Sequence, residues 1–319
     1  MEASDELQAG RASTAAAQTA VIISNPVSGS FPHHHHDYRD TITFLQAQGW
    51  QVELWPTHNP GDAQTLARRA VEQHIAVVIA AGGDGTLNEV IQELAGSETR
   101  LGVLPMGTVN VWAREMGIPL DSAKARDVLV HGRTCRVDLG RVNGRYFLLM
   151  AGIGIDGEVT QAVERKPLKR LGVLGYLLAA LWFGPGYLGF PLTLKVDEAA
   201  PIRTRALEVI VGNTRLYAGA FQFTWMARCD DGLLDLCMVH KRGRLGRLVV
   251  LFDFALNREQ RRLWVRYSTF KSLTIETPEP VAIQVDGDPA GHTPATFTVA
   301  PGALKVIVPQ GTASELFST

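Results

Sequence analysis

The stretch VVIAAGGDGTLNEVIQELAG, residues 77–96, runs from an apolar segment through three glycines and one aspartate into a helical pattern. Val77 to Ala81 carry no polar side chain, which suits a strand covered on both faces. From Thr86 onward, Leu87, Val90, Ile91 and Leu94 recur at helical spacing and define one apolar face. Gly82, Gly83 and Gly85 let the backbone approach a ligand, and the N–H groups that open a helix attract phosphate oxygens. Asp84 places a fixed negative charge at that spot. A carboxylate beside phosphates needs a divalent cation between them, or a substrate proton to receive. The plain structural alternative is a tight turn in which Asp84 only caps. No GKS follows, so this is not a Walker P-loop, and no lysine is at hand to neutralise phosphates.

On either side the pattern repeats. Residues 20–25 (AVIISN), 51–57 (QVELWPT), 75–83 and 100–108 (RLGVLPMGT) read as strands. Residues 37–49, stopped by Gly49, residues 61–74 and the stretch from Thr86 read as helices, and residues 109–117 repeat the unit. Apolar strands alternating with helices predict an α/β domain with a parallel sheet, and ligands then gather at the carboxyl ends of the strands. Three such ends carry small polar loops with glycine: Asn25-Pro26-Val27-Ser28-Gly29, the GGDGT loop, and Pro105-Met106-Gly107-Thr108-Val109-Asn110. With Thr57 at the fourth, they predict one cradle for a nucleotide. His33 to His36 follow the first loop; consecutive residues do not share a face, so they read as a solvated loop and not as a metal site.

The second half changes character near Cys135. RVDLGRVNGRYFLLM, residues 136–150, is a hairpin with Asn143-Gly144 as its turn. Short strands follow at close spacing, among them FQFTWM (221–226), LLDLCMVH (233–240), VAIQVDGD (281–288) and ALKVIVP (303–309), and predict an antiparallel sandwich. A basic stretch, residues 245–263, reads as a helix between them.

Composition narrows the class. A chain of 319 residues suggests two domains, since single cores seldom exceed roughly 250 residues. A net charge of -1 gives no field that would draw nucleic acid. Cys135, Cys229 and Cys237 have neither disulfide nor zinc spacing. The acidic N-terminus lacks the apolar core of a signal peptide, so a cytoplasmic protein is expected. Residues 171–194 are apolar, but Gly184-Pro185 interrupts them short of the ~20 residues a spanning helix needs. The expected organisation is a tail over 1–18, a nucleotide-binding domain over 19–134, a β-rich domain over 135–309 and a C-terminal tail over 310–319.

In order and spacing, NPxSG, GGDGTxNEV, PxGTxN, GxGxD (Gly152 to Asp156), DGLLD (Asp231 to Asp235) and the late triplet Asp286-Gly287-Asp288 resemble the diacylglycerol kinase catalytic domain family, which includes soluble bacterial lipid kinases and sphingosine kinases. The resemblance implies an active site in an interdomain cleft, where ATP with Mg²⁺ phosphorylates a lipid hydroxyl on diacylglycerol, phosphatidylglycerol or a sphingoid-type acceptor. It implies ATP contacts at Asn25, Thr57, Gly83, Asp84, Gly85, Thr86, Leu87, Asn88, Glu89 and Thr108. It implies catalysis by Asp288 as proton acceptor, with Asp286 and Asp84 in the site. A structural Mg²⁺ is implied on the Asp231 carboxylate and the carbonyls of Arg228 and Leu233, a donor set that suits a hard cation. Two positions depart from the family pattern: Val111 stands where an aspartate is common, and Asp288 where a glutamate is usual.

Two other readings compete. One is a soluble-substrate kinase of the NAD kinase type, which shares the GGDGT loop; the other is a non-catalytic lipid or nucleotide sensor. A lipid substrate further implies reversible docking on a peripheral membrane surface. Arg165, Lys166, Lys169 and Arg170 beside the apolar residues 171–190 form the basic collar that contact with an anionic bilayer needs.

Overall fold

The computed structural model describes residues 18–25, 34–154, 189–217, 221–240, 265–311 and 315–318. Strands β1 (Thr19–Ser24), β2 (Gln51–Pro56), β3 (Val77–Gly82) and β4 (Arg100–Pro105) form a parallel sheet in the order β2-β1-β3-β4. Every residue of β3 is buried, as a strand covered on both faces requires. Helices α1 (His34–Ala47), α2 (Asp62–Glu72), α3 (Asp84–Leu94), α4 (Val111–Glu115) and α5 (Ser122–His131) complete this part. Helix α3 buries the expected face of Leu87, Val90, Ile91 and Leu94, but it starts at Asp84 and not at Thr86. Helix α1 starts at His34, so residues 34–36 are helical and not a loop. Tyr38, Thr41 and Leu45 bury one face of α1, and extending a formed helix by a turn costs little. Helix α5, which the reading of the sequence did not include, is capped by the Asp121 side chain accepting from Lys124 N.

The remaining strands pair antiparallel with one another. β5 (Arg133–Val142) and β6 (Arg145–Phe147) form the expected hairpin, with Asn143 at φ 50 and Gly144 at φ 81, the positive pair that its two-residue turn demands. There follow β7 (Met150–Gly154), β8 (Phe190–Val196), β9 (Ile202–Gly212), β10 (Leu216–Tyr217), β11 (Phe221–Gln222), β12 (Leu234–His240), β13 (Val265–Phe270), β14 (Ser272–Glu276), β15 (Ala282–Val285), β16 (Asp288–His292) and β17 (Ala295–Val308). Strand β9 pairs with β8 over its first half and with β7 and β12 over its second, and so ties two layers together. Between them lies a core of Ile153, Val209, Leu236 and Ile283 with Leu192, Leu194, Ile275 and Phe297. This is the expected sandwich. In FQFTWM only Phe221 and Gln222 are strand, because Thr224 Oγ1 donates to the Thr214 carbonyl, Met226 N donates to the Tyr267 hydroxyl and the Trp225 ring packs against Tyr267 at a tilt of 43°.

The two parts are joined at the end of the chain. Past a bulge, Lys305 and Val306 of β17 lie parallel to Arg100 and Leu101 of β4, so the last strand extends the first sheet. Residues 315–318, within the stretch expected as a C-terminal tail, return to the body: Leu316 is buried, and its carbonyl accepts from Cys229 N at 2.8 Å. An apolar side chain with a core to enter does not stay in water. The GxGxD end, the apolar segment with its basic collar and the basic stretch at 245–263 lie outside the described residues. Among those described, no helix is long and apolar enough to cross a membrane.

Candidate active site

The parallel strands end in register. Ser24 lies opposite Pro56 and Ala81, and Gly82 opposite Pro105, so the four following loops leave from one edge. Backbone bonds draw them together: Asn25 N donates to Ala81 O, Thr57 N to Ser24 O and Met106 N to Gly82 O. Asn25, Thr57, the start of α3 and the loop of Thr108 therefore share one rim, as the sequence led us to expect. Gly82 and Gly107 are required by close approach. A Cβ on Gly82 would lie 2.3 Å from Thr86 Oγ1, and one on Gly107 would lie 2.5 Å from Gly83 Cα. A Cβ on Gly85 would meet nothing, which leaves open space at the helix end. The N–H groups of Thr86 and Leu87 turn back on Gly83 O, and the start of a helix is where phosphate is received.

The side chains of the motif serve other elements. Asp84 accepts from Val111 N at 2.9 Å through one oxygen and from Trp112 N at 3.1 Å through the other. It thereby caps α4, because the N-cap residue Asn110 uses its own side chain to bracket Gly107. Glu89 accepts from Gly61 N and Ala63 N, both at 3.1 Å, and caps α2, whose N-cap glycine has no side chain to offer. Leu87 points into the core. Leu87 can therefore act on a nucleotide only through its backbone, while the Asp84 and Glu89 side chains hold the cradle in shape. The start of α4 thus takes one bond on each Asp84 oxygen, and the side chain caps that helix besides any contact it makes with a metal-nucleotide. Burial pushes its pKa up, with the two N–H donors opposing. Asp84→Asn turns one amide NH₂ against a backbone N–H, so a loss of about 1–3 kcal/mol is expected. Thermal denaturation reads it directly. A variant with wild-type Tm and no activity would show a chemical role.

Asn88 reaches across to the β-rich part, where Asp286 and Gly287 form the turn between β15 and β16. Asp286 Oδ2 accepts from Asn88 Nδ2 and Leu148 N, both at 2.8 Å; Oδ1 accepts from Leu149 N at 2.9 Å and Met150 N at 3.0 Å. Four donors fill the lone pairs of both oxygens. Burial still pushes this carboxyl above its ordinary range. Asp286 thus positions the turn, and its four donors leave no lone pair over for a substrate proton. Asp288 differs. Its side chain is 39% exposed, Oδ2 accepts from Arg145 Nη2 at 2.9 Å, and Oδ1 has no partner among the described residues. The same Nη2 donates to Asn88 Oδ1 at 2.5 Å. Arg145 carried no signal in the sequence beyond its place after the hairpin turn.

The DGLLD segment sits at another junction. Asp231 Oδ1 accepts from Leu233 N at 3.0 Å, and Asp138 of β5 accepts from Gly232 N and Gly302 N, each at 2.6 Å. The reading of the sequence missed Asp138. Its pKa is pushed up by burial and then by the charges of Asp231 and Asp230. Asp235 is buried with the Tyr267 hydroxyl donating to it at 2.7 Å, and burial takes its pKa to about 7. Among the described residues no three His, Cys, Asp or Glu side chains gather into a metal site, so an ion here needs carbonyls. An all-oxygen set of Asp231 Oδ2 with the Arg228 and Leu233 carbonyls, beside two further carboxylates, fits a hard dication.

Comparison with known proteins places this geometry. Residues 19–142 match the diacylglycerol kinase catalytic domain, and residues 150–308 the YegS C-terminal NAD kinase beta sandwich-like domain. Diacylglycerol kinase of Staphylococcus saprophyticus is 32% identical over 303 residues, covering 93% of this chain and 97% of its own. Diacylglycerol kinase of Staphylococcus aureus is likewise 32% identical, over 93% and 94%. A Bacillus anthracis structure superposes with a TM-score of 0.80 at 26% identity, covering 93% of this chain and 96% of that one. Another from the same organism, named a diacylglycerol kinase, shares the fold with a TM-score of 0.73 at 23% identity, over 93% and 98%. The loops at the carboxyl rim of the parallel sheet and the sandwich that faces them are thus a family arrangement, and the chain belongs to the diacylglycerol kinase family.

Proposed function

We propose that this protein transfers the γ-phosphoryl group of ATP to the hydroxyl of a membrane lipid. The observation that carries the reading is Asp288: a half-exposed carboxylate with one open oxygen, linked through Arg145 to Asn88, one turn into the helix that opens the nucleotide cradle. The lipid hydroxyl attacks the γ-phosphorus, its proton passes to Asp288, and the bond to the β-phosphate oxygen breaks to release ADP. Little covalent chemistry falls to the protein. The cradle and the interdomain bonds act by positioning, and the start of α3 by charge stabilisation.

Mg²⁺ accompanies ATP in this reading, and Asp231 with the Arg228 and Leu233 carbonyls holds a second, structural Mg²⁺ that supplies positive charge among Asp138, Asp230 and Asp231. Asp138 is tied to the site through its carbonyl, which accepts from Asn213 Nδ2; that amide also donates to Leu148 O, and Leu148 N donates to Asp286. Asp231→Ala is expected to lower Tm and to abolish any rise of Tm with added Mg²⁺. An unchanged Mg²⁺ response would remove the ion from this segment.

The acceptor lies in a bilayer, so the protein docks reversibly, through the basic and apolar residues 165–190. The decisive measurement is transfer of labelled phosphate from ATP to diacylglycerol, phosphatidylglycerol, ceramide and NAD, with and without vesicles, and products identified by mass. A lipid phosphate formed on vesicles supports the reading. Phosphorylation of NAD alone would establish the soluble-substrate kinase, and nucleotide binding without transfer the sensor.

A further inference from the structure

We propose that Arg145 is a catalytic residue whose guanidinium faces the transferred phosphoryl group, stabilising its charge while it orients Asp288 toward the acceptor hydroxyl; this rests on the phosphoryl-transfer reading above. The cradle itself supplies no cation. Residues 82–89 and 105–110 contain neither lysine nor arginine, and Arg114, close to Asp84, turns its Nε back on the Val109 carbonyl. Arg145 comes from the opposite wall. Its Nη2 is shared between Asn88 Oδ1 and Asp288 Oδ2, which fixes the plane of the guanidinium between helix α3 and the proton acceptor. Nη1 and Nε have no partner among the described residues, and the side chain is 32% exposed. Three N–H donors of a fixed cation are therefore left over at the place where a phosphoryl group must pass.

A brace between the two parts does not explain this. Asp286 with Asn88, and Gln92 with both the N–H and the carbonyl of Tyr146, already join α3 to the β-rich part. A half-exposed ion pair adds little to them. Phosphoryl transfer, by contrast, spreads negative charge over three equatorial oxygens, and a planar guanidinium can meet two of them at once. In the step, the bond from the lipid oxygen to phosphorus forms, the bond to the β-phosphate oxygen breaks with its electrons leaving on ADP, and the proton goes to Asp288. Arg145 keeps its proton throughout and acts as charge alone.

The test uses Arg145→Gln and Arg145→Lys in the full chain, with three readouts: kcat for lipid phosphorylation, Tm, and calorimetric affinity for ADP against an ATP analogue whose β–γ link cannot be cleaved. Arg145→Gln is expected to lower kcat by about 10²–10³-fold. It should weaken the analogue by about 10-fold or more with ADP binding and Tm nearly unchanged, since only the analogue carries the third phosphate. Arg145→Lys keeps the charge without the fork and should fall between, and it carries the test if the glutamine variant does not fold. Equal weakening of both nucleotides, or kcat within about threefold of wild type, would overturn the proposal. If wild-type protein transfers no phosphate to any lipid, the functional reading fails, while the contrast between ADP and the analogue still reports on Arg145.

Discussion

Asp288→Asn is expected to lower kcat by about 10²–10⁴-fold, the usual contribution of a positioned general base, with the fold intact. The structure supports both halves of that expectation. Asparagine keeps the volume, and its carbonyl oxygen can still accept from Arg145 Nη2. The pair it weakens is half-exposed, so about 0–1 kcal/mol is at stake, and Tm should fall by no more than a few degrees. What is lost is the open oxygen's capacity to take a proton from the lipid hydroxyl. The apparent KM for ATP should barely change, because the proton comes from the acceptor and not from the nucleotide. Asp288→Glu, which restores the family's usual length, should retain substantial activity. A near-normal kcat in the asparagine variant, or a large rise in ATP KM at constant kcat, would show that Asp288 is not the base.

The rim of the parallel sheet was legible because its determinants are local. Apolar runs broken by glycine fix where each strand ends, and parallel pairing then aligns those ends without further information. The partners of the polar side chains were not legible. Glu89 caps a helix that starts 26–28 residues upstream, Asp84 one that starts 27–28 residues downstream, and Asn88 meets an aspartate 198 positions away. A motif names residue types; it does not say whether a carboxylate faces a ligand or the protein's own backbone. Asp84 makes the point physically. Its charge sits in the first turn of α3 and against the first N–H groups of α4, so two helix starts converge on it. Their partial positive charges satisfy the carboxylate, and no cation or substrate proton is needed to explain its place. Arg145 and Asp138 were missed for the same reason: each becomes meaningful only once the two parts of the chain are apposed.

Asp286 should respond in the opposite sense to its neighbour, losing the fold before the chemistry. Asp286 has φ 49, a left-handed conformation that asparagine tolerates, so Asp286→Asn tests the hydrogen bonds without straining the turn. The amide offers one acceptor oxygen. Its NH₂ must then face either the pair Asn88 Nδ2 and Leu148 N or the pair Leu149 N and Met150 N, all of them donors. Two buried donors lose their acceptor at about 1–3 kcal/mol each, so a loss of roughly 2–6 kcal/mol is expected. For a chain of this size that lowers Tm by about 3–9 °C. Because one of those donors comes from α3 and three from the strand entry of the sandwich, the loosened contact is the one that sets Asp288 against the cradle. Activity should therefore fall together with stability and recover in part as the assay temperature is lowered. Wild-type Tm with a specific loss of kcat would return Asp286 to the catalytic groups, and would mean that the four bonds are less important than their geometry implies.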